Sequence, residues 1–228
     1  MKELLVRRIG APDIGHSLRR LKRNGFSPSQ VFDVGAYQGD FAQLCWDVWP
    51  GASVVAFEVL EHKVKQLHDL RAQGRRLDVV PCLLGSERRD SVPFHQLETA
   101  SSVLKEHVEQ DVAIGHFAMN TIDHFVATTG TAPPDLIKID VQGYELEVLQ
   151  GAAKTLTQSH VILAELNFLD IHRDVPLIAD LLAWLDEIGW VAYDVCGLTR
   201  RPFDNALWQA DFIFVPRSSH LRQHKGWD

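Results

Sequence analysis

The segment from Val31 to Asp40 constrains the fold of this chain most strongly. It reads Val-Phe-Asp-Val-Gly-Ala-Tyr-Gln-Gly-Asp, an apolar run followed by a turn with two glycines. The apolar residues favour a buried strand, and the glycines favour a tight turn into a helix. This order places backbone N–H groups at the carboxyl end of a strand, where open α/β sheets bind ligands. The segment therefore predicts an α/β fold with a ligand site at the turn.

The spacing of this turn differs from that of dinucleotide-binding enzymes. Those enzymes have G-x-G-x-x-G, whereas this chain has D-x-G-x-x-x-G, with Asp33 in place of the first glycine. A carboxylate there would repel a diphosphate but would suit a cationic amine or a ribose. A second apolar run ends at Glu58, about 20 residues after Gly39, the position from which an acid commonly holds ribose hydroxyls. These features predict a site for S-adenosylmethionine, a nucleoside with a sulfonium and an amino-acid tail.

Further apolar runs alternate with helical patterns along the chain. The alternation predicts a doubly wound, mostly parallel sheet, and two closing strands without a helix between them predict an antiparallel edge hairpin. This seven-stranded Rossmann-like arrangement is typical of class I methyltransferases. We predict the seven strands of this sheet at residues 31–34, 53–58, 78–84, 135–140, 160–165, 190–195 and 211–215. Outside the sheet we predict a short strand at 91–96 and a mobile or helical segment at 100–116.

Length and composition indicate one globular domain. The chain has 228 residues and 46% hydrophobic residues, enough for a sizeable core. We predict an N-terminal helical segment at 1–30, a catalytic domain at 31–216 and a tail at 217–228. The net charge of −7 argues against nucleic acid or an anionic membrane as a partner.

The cysteines and the N-terminus indicate the compartment. The three cysteines are scattered, which argues against a disulfide framework or a zinc cluster. The chain has neither an apolar run of the roughly 18 residues that span a bilayer nor a secretion signal at its start. We therefore expect a cytoplasmic protein, and the sequence leaves a homo-oligomer open.

Three segments resemble the FkbM family of methyltransferases. They are residues 32–39, 55–58 and 135–145, the last reading D-L-I-K-I-D-V-Q-G-Y-E where the family has D-L-I-K-I-D-V-E-G-x-E. The resemblance extends over residues 31–215. It implies transfer of a methyl group from S-adenosylmethionine to a hydroxyl of a sugar, glycan or other natural product. The chain departs from the family pattern at Tyr37, usually Asn, at Val59, usually Pro, and at Gln142, usually an acid.

The expected cofactor residues follow the ends of the predicted strands. The first turn would line the methionine end of the cofactor, Glu58 would accept from both ribose hydroxyls, and the end of the third strand would lie beside the adenine. The full set is Asp33, Gly35, Ala36, Tyr37, Gly39, Glu58, Val59, Leu84, Gly85 and Asp140.

Candidate catalytic residues follow the fourth and fifth predicted strands of the sheet. Because an alcohol has a high pKa, its methylation needs a base, a metal ion or both. Asp140, Glu165 and Asn167 could supply oxygen ligands to Mg²⁺, an arrangement similar to that of catechol- and macrolide-sugar-type O-methyltransferases. The same residues could instead brace the sheet, and the sequence leaves both readings open.

His172 and a serine pair complete the candidate residues. Asp140, Glu165 and His172 are the candidate catalytic residues, and His172 is the candidate base because a neutral imidazole accepts a proton. The pair Ser101-Ser102 is a candidate acceptor contact, or an ordinary loop or helix cap.

Three other functions compete with O-methyl transfer. An N-, C- or RNA methyltransferase would share the fold, although the acidic charge and the lack of an N-P-P-Y-type tetrapeptide argue against base methylation. A catalytically silent cofactor-binding protein would bind the nucleoside without turnover. An NAD-dependent oxidoreductase is the weakest alternative because the glycine spacing is wrong.

Overall fold

The computed structural model describes residues 11–96, 101–107 and 113–227. Within these ranges the α-helices are α1 (Ile14–Arg23), α2 (Asp40–Val48), α3 (Glu61–Ala72), α4 (Ile122–Thr129), α5 (Glu145–Gln150) and α6 (Ile178–Glu187). The strands are β1 (Gln30–Val34), β2 (Ser53–Phe57), β3 (Leu77–Val80), β4 (Leu83–Leu84), β5 (Arg89–Gln96), β6 (Ala113–Asn120), β7 (Leu136–Ile139), β8 (Val161–Asn167), β9 (Trp190–Arg200) and β10 (Leu207–Pro216). Short 3₁₀ turns lie at Thr155–Thr157 and His220–Arg222.

A seven-stranded sheet forms the centre of the fold. Its strand order is β3-β2-β1-β7-β8-β10-β9, with β1 parallel to both β2 and β7. Strands β3 and β8 extend the parallel part, whereas β10 runs antiparallel to β8 and β9. The predicted doubly wound sheet with an antiparallel edge hairpin is therefore confirmed. The order reverses between β1 and β7, so their carboxyl ends flank a crevice of the kind that holds ligands in such sheets.

A second, smaller sheet has the order β4-β6-β5. Its presence corrects two predictions. The predicted third strand at 78–84 is split, because Pro81 has no N–H to continue the ladder and β4 joins the small sheet instead. Residues 113–116, placed in a mobile or helical segment, begin β6, which pairs with β5. Residues 97–100 and 108–112 of that region lie outside the described residues.

The edge hairpin is longer than its sequence indicates. We expected strands at 190–195 and 211–215, but β9 continues to Arg200 and β10 begins at Leu207. Gly197 interrupts the β-favouring pattern, yet it pairs with Asp211. A Cβ atom at Gly197 would lie 1.9 Å from Asp211 Oδ2, so the missing side chain makes room for that carboxylate.

Successive residues of the central strands face two cores. Phe32 and Val34 of β1 join one cluster, with Ile137 and Ile139 of the neighbouring strand. Val31 joins the cluster on the other face, which also contains Leu18 and Leu21 of α1. This alternation follows from the two-residue period of a strand. The N-terminal helix is therefore packed into the same body as the sheet.

The amino ends of the parallel strands are joined by Asp135. Its Oδ2 accepts hydrogen bonds from Ser29 N (2.7 Å), Ser29 Oγ (2.8 Å) and Gln30 N (3.1 Å). Its carbonyl oxygen accepts from the backbone N–H groups of His160 and Val161. This edge lies opposite the crevice. In the described part of the chain, no helix has the length and apolar character needed to cross a membrane.

Candidate active site

The turn after β1 approaches the end of β7 closely. Gly35 has φ +76, and a Cβ atom there would lie 1.9 Å from the carbonyl oxygen of Asp140. Any side chain would therefore strain the backbone and separate the two strand ends. The N–H groups of Gly35 and Ala36 both donate to Phe57 O at 3.1 Å, which fixes the turn against β2.

Glu58 follows β2 and holds the neighbouring loops together. Its Oε1 accepts from the N–H groups of Val59 (2.7 Å) and Leu60 (2.9 Å). Its Oε2 accepts from the N–H of Tyr37 at 2.8 Å. A carboxylate oxygen can accept two hydrogen bonds, so Oε2 retains capacity for a ligand hydroxyl.

One cavity joins these loops to the small sheet. Its polar part includes Gly35, Tyr37, Glu58, Asp140 and Gln142. Its apolar part comes from the strand ends and from the small sheet, which covers the cavity. That part comprises Val34, Phe57, Val59, Leu60, Cys82, Leu83, Leu84, Phe94, Val103, Val141 and Tyr144, and Ser101 completes the lining.

The predicted cofactor residues divide into two groups. Gly35, Tyr37, Glu58, Val59, Leu84 and Asp140 line the cavity. Asp33, Ala36, Gly39 and Gly85 lie outside the lining set. In particular, Asp33 is 0% exposed and lies beneath the turn rather than along the cavity wall.

Lys138 lies beneath the turn beside Asp33. Its Nζ is 3.3 Å from Gly35 O, 3.7 Å from Asp33 Oδ1 and 3.2 Å from Asp140 Oδ2. Burial opposes the charge, but the carboxylates of Asp140 and Asp33 outweigh burial and raise the pKa of the lysine above its ordinary value. Lys138 therefore holds a positive charge between the first turn and the end of β7.

Burial raises the pKa of Asp33 to about 6, although Lys138 opposes this shift. Within the described residues, neither carboxylate oxygen of Asp33 accepts a hydrogen bond. An ionised carboxylate without hydrogen bonds is costly inside a protein, which explains the direction of the pKa shift.

A network of amides surrounds Glu165. Gln142 Nε2 donates to Asp140 Oδ1 at 2.8 Å and to Glu165 Oε1 at 2.9 Å. Gln209 Nε2 donates to the same Glu165 Oε1 at 2.7 Å and lies 3.3 Å from Asn167 Oδ1. Burial, and after it the charge of Asp140, raises the pKa of Glu165 well above its ordinary value. We predicted that Glu165 ends its strand, but β8 continues for two more residues, to Asn167.

The predicted Mg²⁺ ligands do not fit a metal ion in this arrangement. The facing oxygens of Asp140, Glu165 and Asn167 contact N–H donors of Gln142 and Gln209, and Lys138 lies against the other oxygen of Asp140. A Mg²⁺ ion needs such oxygens free at about 2.1 Å. No group of three or more metal-ligating His, Cys, Asp or Glu side chains occurs in ranges 11–96, 101–107 and 113–227.

The two candidate serines have different positions. Ser101 lines the cavity, whereas Ser102 is fully buried. Ser102 Oγ donates to Gln142 O at 2.8 Å and accepts from Leu104 N at 3.0 Å. Its backbone pairs with His95. Ser102 therefore fastens the cover of the cavity to the turn after β7.

His172 is 2% exposed and does not belong to the cavity lining. Its backbone forms a bridge with Glu106, and neither ring nitrogen has a hydrogen-bond partner among the described residues. Burial lowers its pKa. Burial thus favours the neutral form of this imidazole, but the structure does not bring it to the cavity wall.

Several contributors to the site were not predicted from the sequence, among them Lys138, Gln209 and Phe94. Lys138 carried a signal, since it is a charge inside the apolar strand β7. Gln209 carried none, because only the pairing of β10 with β8 places it opposite Asn167. Phe94 reaches the cavity through the small sheet, which the sequence did not indicate.

Comparisons with known proteins agree with this architecture. The family model described as Methyltransferase FkbM domain matches residues 33–191. The chain is similar to the solved structure of methyltransferase FkbM from Methylobacillus flagellatus KT, with 18% identity and a TM-score of 0.50. That match covers 81% of this chain but only 43% of the Methylobacillus protein.

Two further solved structures share the fold. Precorrin-6y C5,15-methyltransferase from Geobacter metallireducens GS-15 has 12% identity and a TM-score of 0.51, with 89% of this chain and 85% of that protein covered. Magnesium protoporphyrin IX methyltransferase from Synechocystis PCC 6803, solved with bound SAM, has 13% identity and a TM-score of 0.50. That match covers 89% of this chain and 80% of the Synechocystis protein. No curated protein sequence gives a significant match.

Proposed function

This chain belongs to the FkbM methyltransferase family, and we propose that it transfers the methyl group of S-adenosylmethionine to a hydroxyl oxygen of a small-molecule or glycan acceptor. The observation that carries the proposal is the convergence of Glu58, the Gly35 turn and Asp140 on one cavity. An acid after β2, a glycine turn after β1 and an apolar pocket beyond them suit the ribose, the amino-acid tail and the adenine of this cofactor.

The charge around the first turn supports a cationic ligand. Asp33 and Asp140 share the ammonium group of Lys138, so the two carboxylates exceed the nearby positive charge. A ligand with a sulfonium or an ammonium group beside Asp140 would balance this excess. The remaining acceptor capacity of Glu58 Oε2 suits a ribose hydroxyl, and Val59, Leu60 and Leu84 provide apolar contacts for an aromatic base.

The chain's own residues would contribute mainly position. When bound, S-adenosylmethionine supplies an electrophilic methyl carbon, and transfer requires the acceptor oxygen, that carbon and the sulfur in line. Asp140 reaches the cavity, where it would orient the acceptor hydroxyl and take its proton. Lys138 and Gln142 fix the Asp140 carboxylate for this task. We propose that Glu165 supports Asp140 through Gln142, and the role of His172 as a base stays a prediction.

The chemistry of the cavity supports a hydroxylated acceptor over a nucleobase. Asp140, Gln142 and Ser101 line its open polar part, and carboxylate, amide and hydroxyl groups bind hydroxyls well. The net charge of −7 disfavours a nucleic-acid acceptor.

Calorimetric titration with S-adenosylhomocysteine tests the cofactor half of the proposal. We expect micromolar binding to the wild-type chain and a loss of at least about tenfold in Glu58→Ala, because that variant removes the carboxylate that organises the ribose site. Glu61→Ala, at an exposed position three residues later, is the matched control and should bind normally. Absence of binding to folded wild-type protein would refute the proposal.

Asp140→Ala separates binding from transfer. We expect this variant to bind S-adenosylhomocysteine more weakly than the wild-type chain, because Asp140 contributes to the cofactor site, but to lose methyl transfer to hydroxylated acceptors even when the cofactor is saturating. Near-normal turnover would remove Asp140 from the mechanism.

A further inference from the structure

We propose that Gln142 is a positioning residue whose carboxamide occupies the place between Asp140 and Glu165 that a divalent cation would take. Methyl transfer at this site would then need no divalent cation. The statement about methyl transfer rests on the proposed function. The statement about the Gln142 amide rests on its contacts with Asp140 and Glu165, which involve no ligand.

One amide group donates hydrogen bonds to both of the carboxylate oxygens that face each other, one from Asp140 and one from Glu165. Gln142 Nε2 lies 2.8 Å from Asp140 Oδ1 and 2.9 Å from Glu165 Oε1. A primary amide has two N–H donors, so each carboxylate receives one. A cation bridging the same oxygens would need both of them at about 2.1 Å and would displace the amide.

The backbone holds this amide in place. Gln142 has φ +53, a left-handed backbone conformation that residues other than glycine rarely adopt. Gly143 follows with φ +100. Ser102 Oγ donates to Gln142 O, and Glu145 Oε1 accepts from Gly143 N at 3.1 Å. The turn is therefore held from both sides, and the side-chain amide is held by its bonds to Asp140 and Glu165.

Neighbouring donors also contact oxygens of the two acids. Lys138 Nζ is 3.2 Å from Asp140 Oδ2, on the side away from Gln142. Gln209 Nε2 gives Glu165 Oε1 a second hydrogen bond at 2.7 Å. Gln209 Nε2 also lies 3.5 Å from Gln142 Oε1, so the two amides are neighbours. With Lys138 and two amides in place, the facing oxygens of both acids already have donors, which leaves a metal ion no free oxygen between them.

Gln142→Glu changes the charge at this point and little else. The substitution keeps the length and shape of the side chain but replaces the shared donor with a third carboxylate. Three carboxylates around one point are the oxygen set that attracts Mg²⁺ or Mn²⁺. The variant should therefore gain a cation site that the wild-type chain lacks, a gain that a merely structural role for Gln142 would not produce.

The experiment is calorimetric titration of Mn²⁺ into the wild-type chain, Gln142→Glu and Gln38→Glu. Gln38 is a matched control because its Nε2 also donates to one carboxylate, Asp40 Oδ2, at 2.8 Å, but on the exposed surface. We expect Gln142→Glu to bind Mn²⁺ roughly tenfold or more tightly than the other two proteins, since added ligand charge raises affinity for such ions. Equal affinity in all three proteins would overturn the proposal.

The wild-type chain provides a test that does not depend on the folding of a variant. Its thermal unfolding midpoint should be unchanged by millimolar Mn²⁺ or by EDTA. A stabilisation by Mn²⁺ that EDTA reverses would mean that a cation displaces the amide, and would overturn the proposal. S-adenosylhomocysteine titration in parallel keeps the two proposals distinct, because loss of that binding refutes the proposed function and leaves the Mn²⁺ comparison valid.

Discussion

The two faces of β1 and β7 are built from opposite chemistry near the crevice. On one face, Phe32 packs its ring against Phe57 and Phe125, with ring centroids 5.4 Å and 5.9 Å apart. On the other face, Asp33 and Lys138 lie side by side in register. Both sets are buried. Because side chains alternate across a strand, one backbone can stabilise the fold on one face and hold charge on the other.

The charged face costs the fold stability, whereas the aromatic face does not. Burial of Phe32 is favourable at any pH, whereas burial of Asp33 is unfavourable once the carboxylate ionises. The charged face should therefore respond to pH and to charge-neutralising substitutions, and the aromatic face should respond to neither.

Phe32→Ala should give the largest effect. Phe32 is fully buried, so the truncation should lower the free energy of unfolding by about 4 kcal/mol, through lost burial and the cavity left behind. The loss should be the same at pH 5 and pH 8, measured by urea denaturation. Phe203→Ala, at a side chain that is 90% exposed, is the control and should be neutral. A loss that depends on pH would mean that Phe32 is coupled to the buried charges of the other face.

Lys138→Met should lower the free energy of unfolding by about 3 kcal/mol at pH 8, because it leaves the buried charge of Asp33 and the partly exposed charge of Asp140 without their cation. The loss should shrink at pH 5, where Asp33, with its pKa raised to about 6, is protonated. Denaturation at the two pH values measures both effects, with the exposed Lys65→Met as control. Equal losses at both pH values would contradict the assignment.

Asp33→Asn should stabilise the chain by about 2 kcal/mol at pH 8. The folded-state pKa of Asp33 is about 6, above the ordinary 3.8, so the folded protein binds the proton more tightly than the unfolded chain. The ionised carboxylate thus costs stability above pH 6, and the cost disappears as the pH falls from 6 towards 4. Urea denaturation across this range should show the advantage of the variant vanish. The exposed Asp47→Asn should show no such trend.

Asp211→Asn should give the smallest effect, a gain of about 1 kcal/mol at pH 8. Burial, followed by the charge of Asp140, raises the pKa of Asp211 to about 6 as well. However, this side chain is only partly buried, over Gly197 in the edge hairpin, so solvent screens its charge. Urea denaturation of both variants at pH 8 compares their gains in the free energy of unfolding. A larger gain for Asp211→Asn than for Asp33→Asn would reverse the expected ranking.

Local patterns explain what the sequence could predict. The strand and turn at residues 31–40 needed only neighbouring apolar residues and two glycines, and the positions of Gly35, Glu58 and Asp140 at one cavity followed from parallel strands meeting at one edge.

Tertiary pairing explains what the sequence could not predict. The position of Gln209 depends on the register of β10, and the burial of His172 depends on its bridge to Glu106, far away in sequence. Gly197 weakened the strand pattern for a reason visible only in space, the carboxylate of Asp211. Pro81, by contrast, did carry a readable signal for the break after β3.

Asp135 joins the amino ends of the parallel strands, at the edge of the sheet opposite the crevice, and this edge is suited to labelling. Connections at that edge, such as Gly74 before β3 and Gly130 before β7, follow helices in left-handed turns, and nothing lies within 4 Å of the place a Cβ atom would take. A fluorophore or an affinity handle attached to a residue next to these glycines, which keep their positive φ, stands across the full length of the strands from the cavity. Surface immobilisation through these loops therefore leaves the crevice facing the solution.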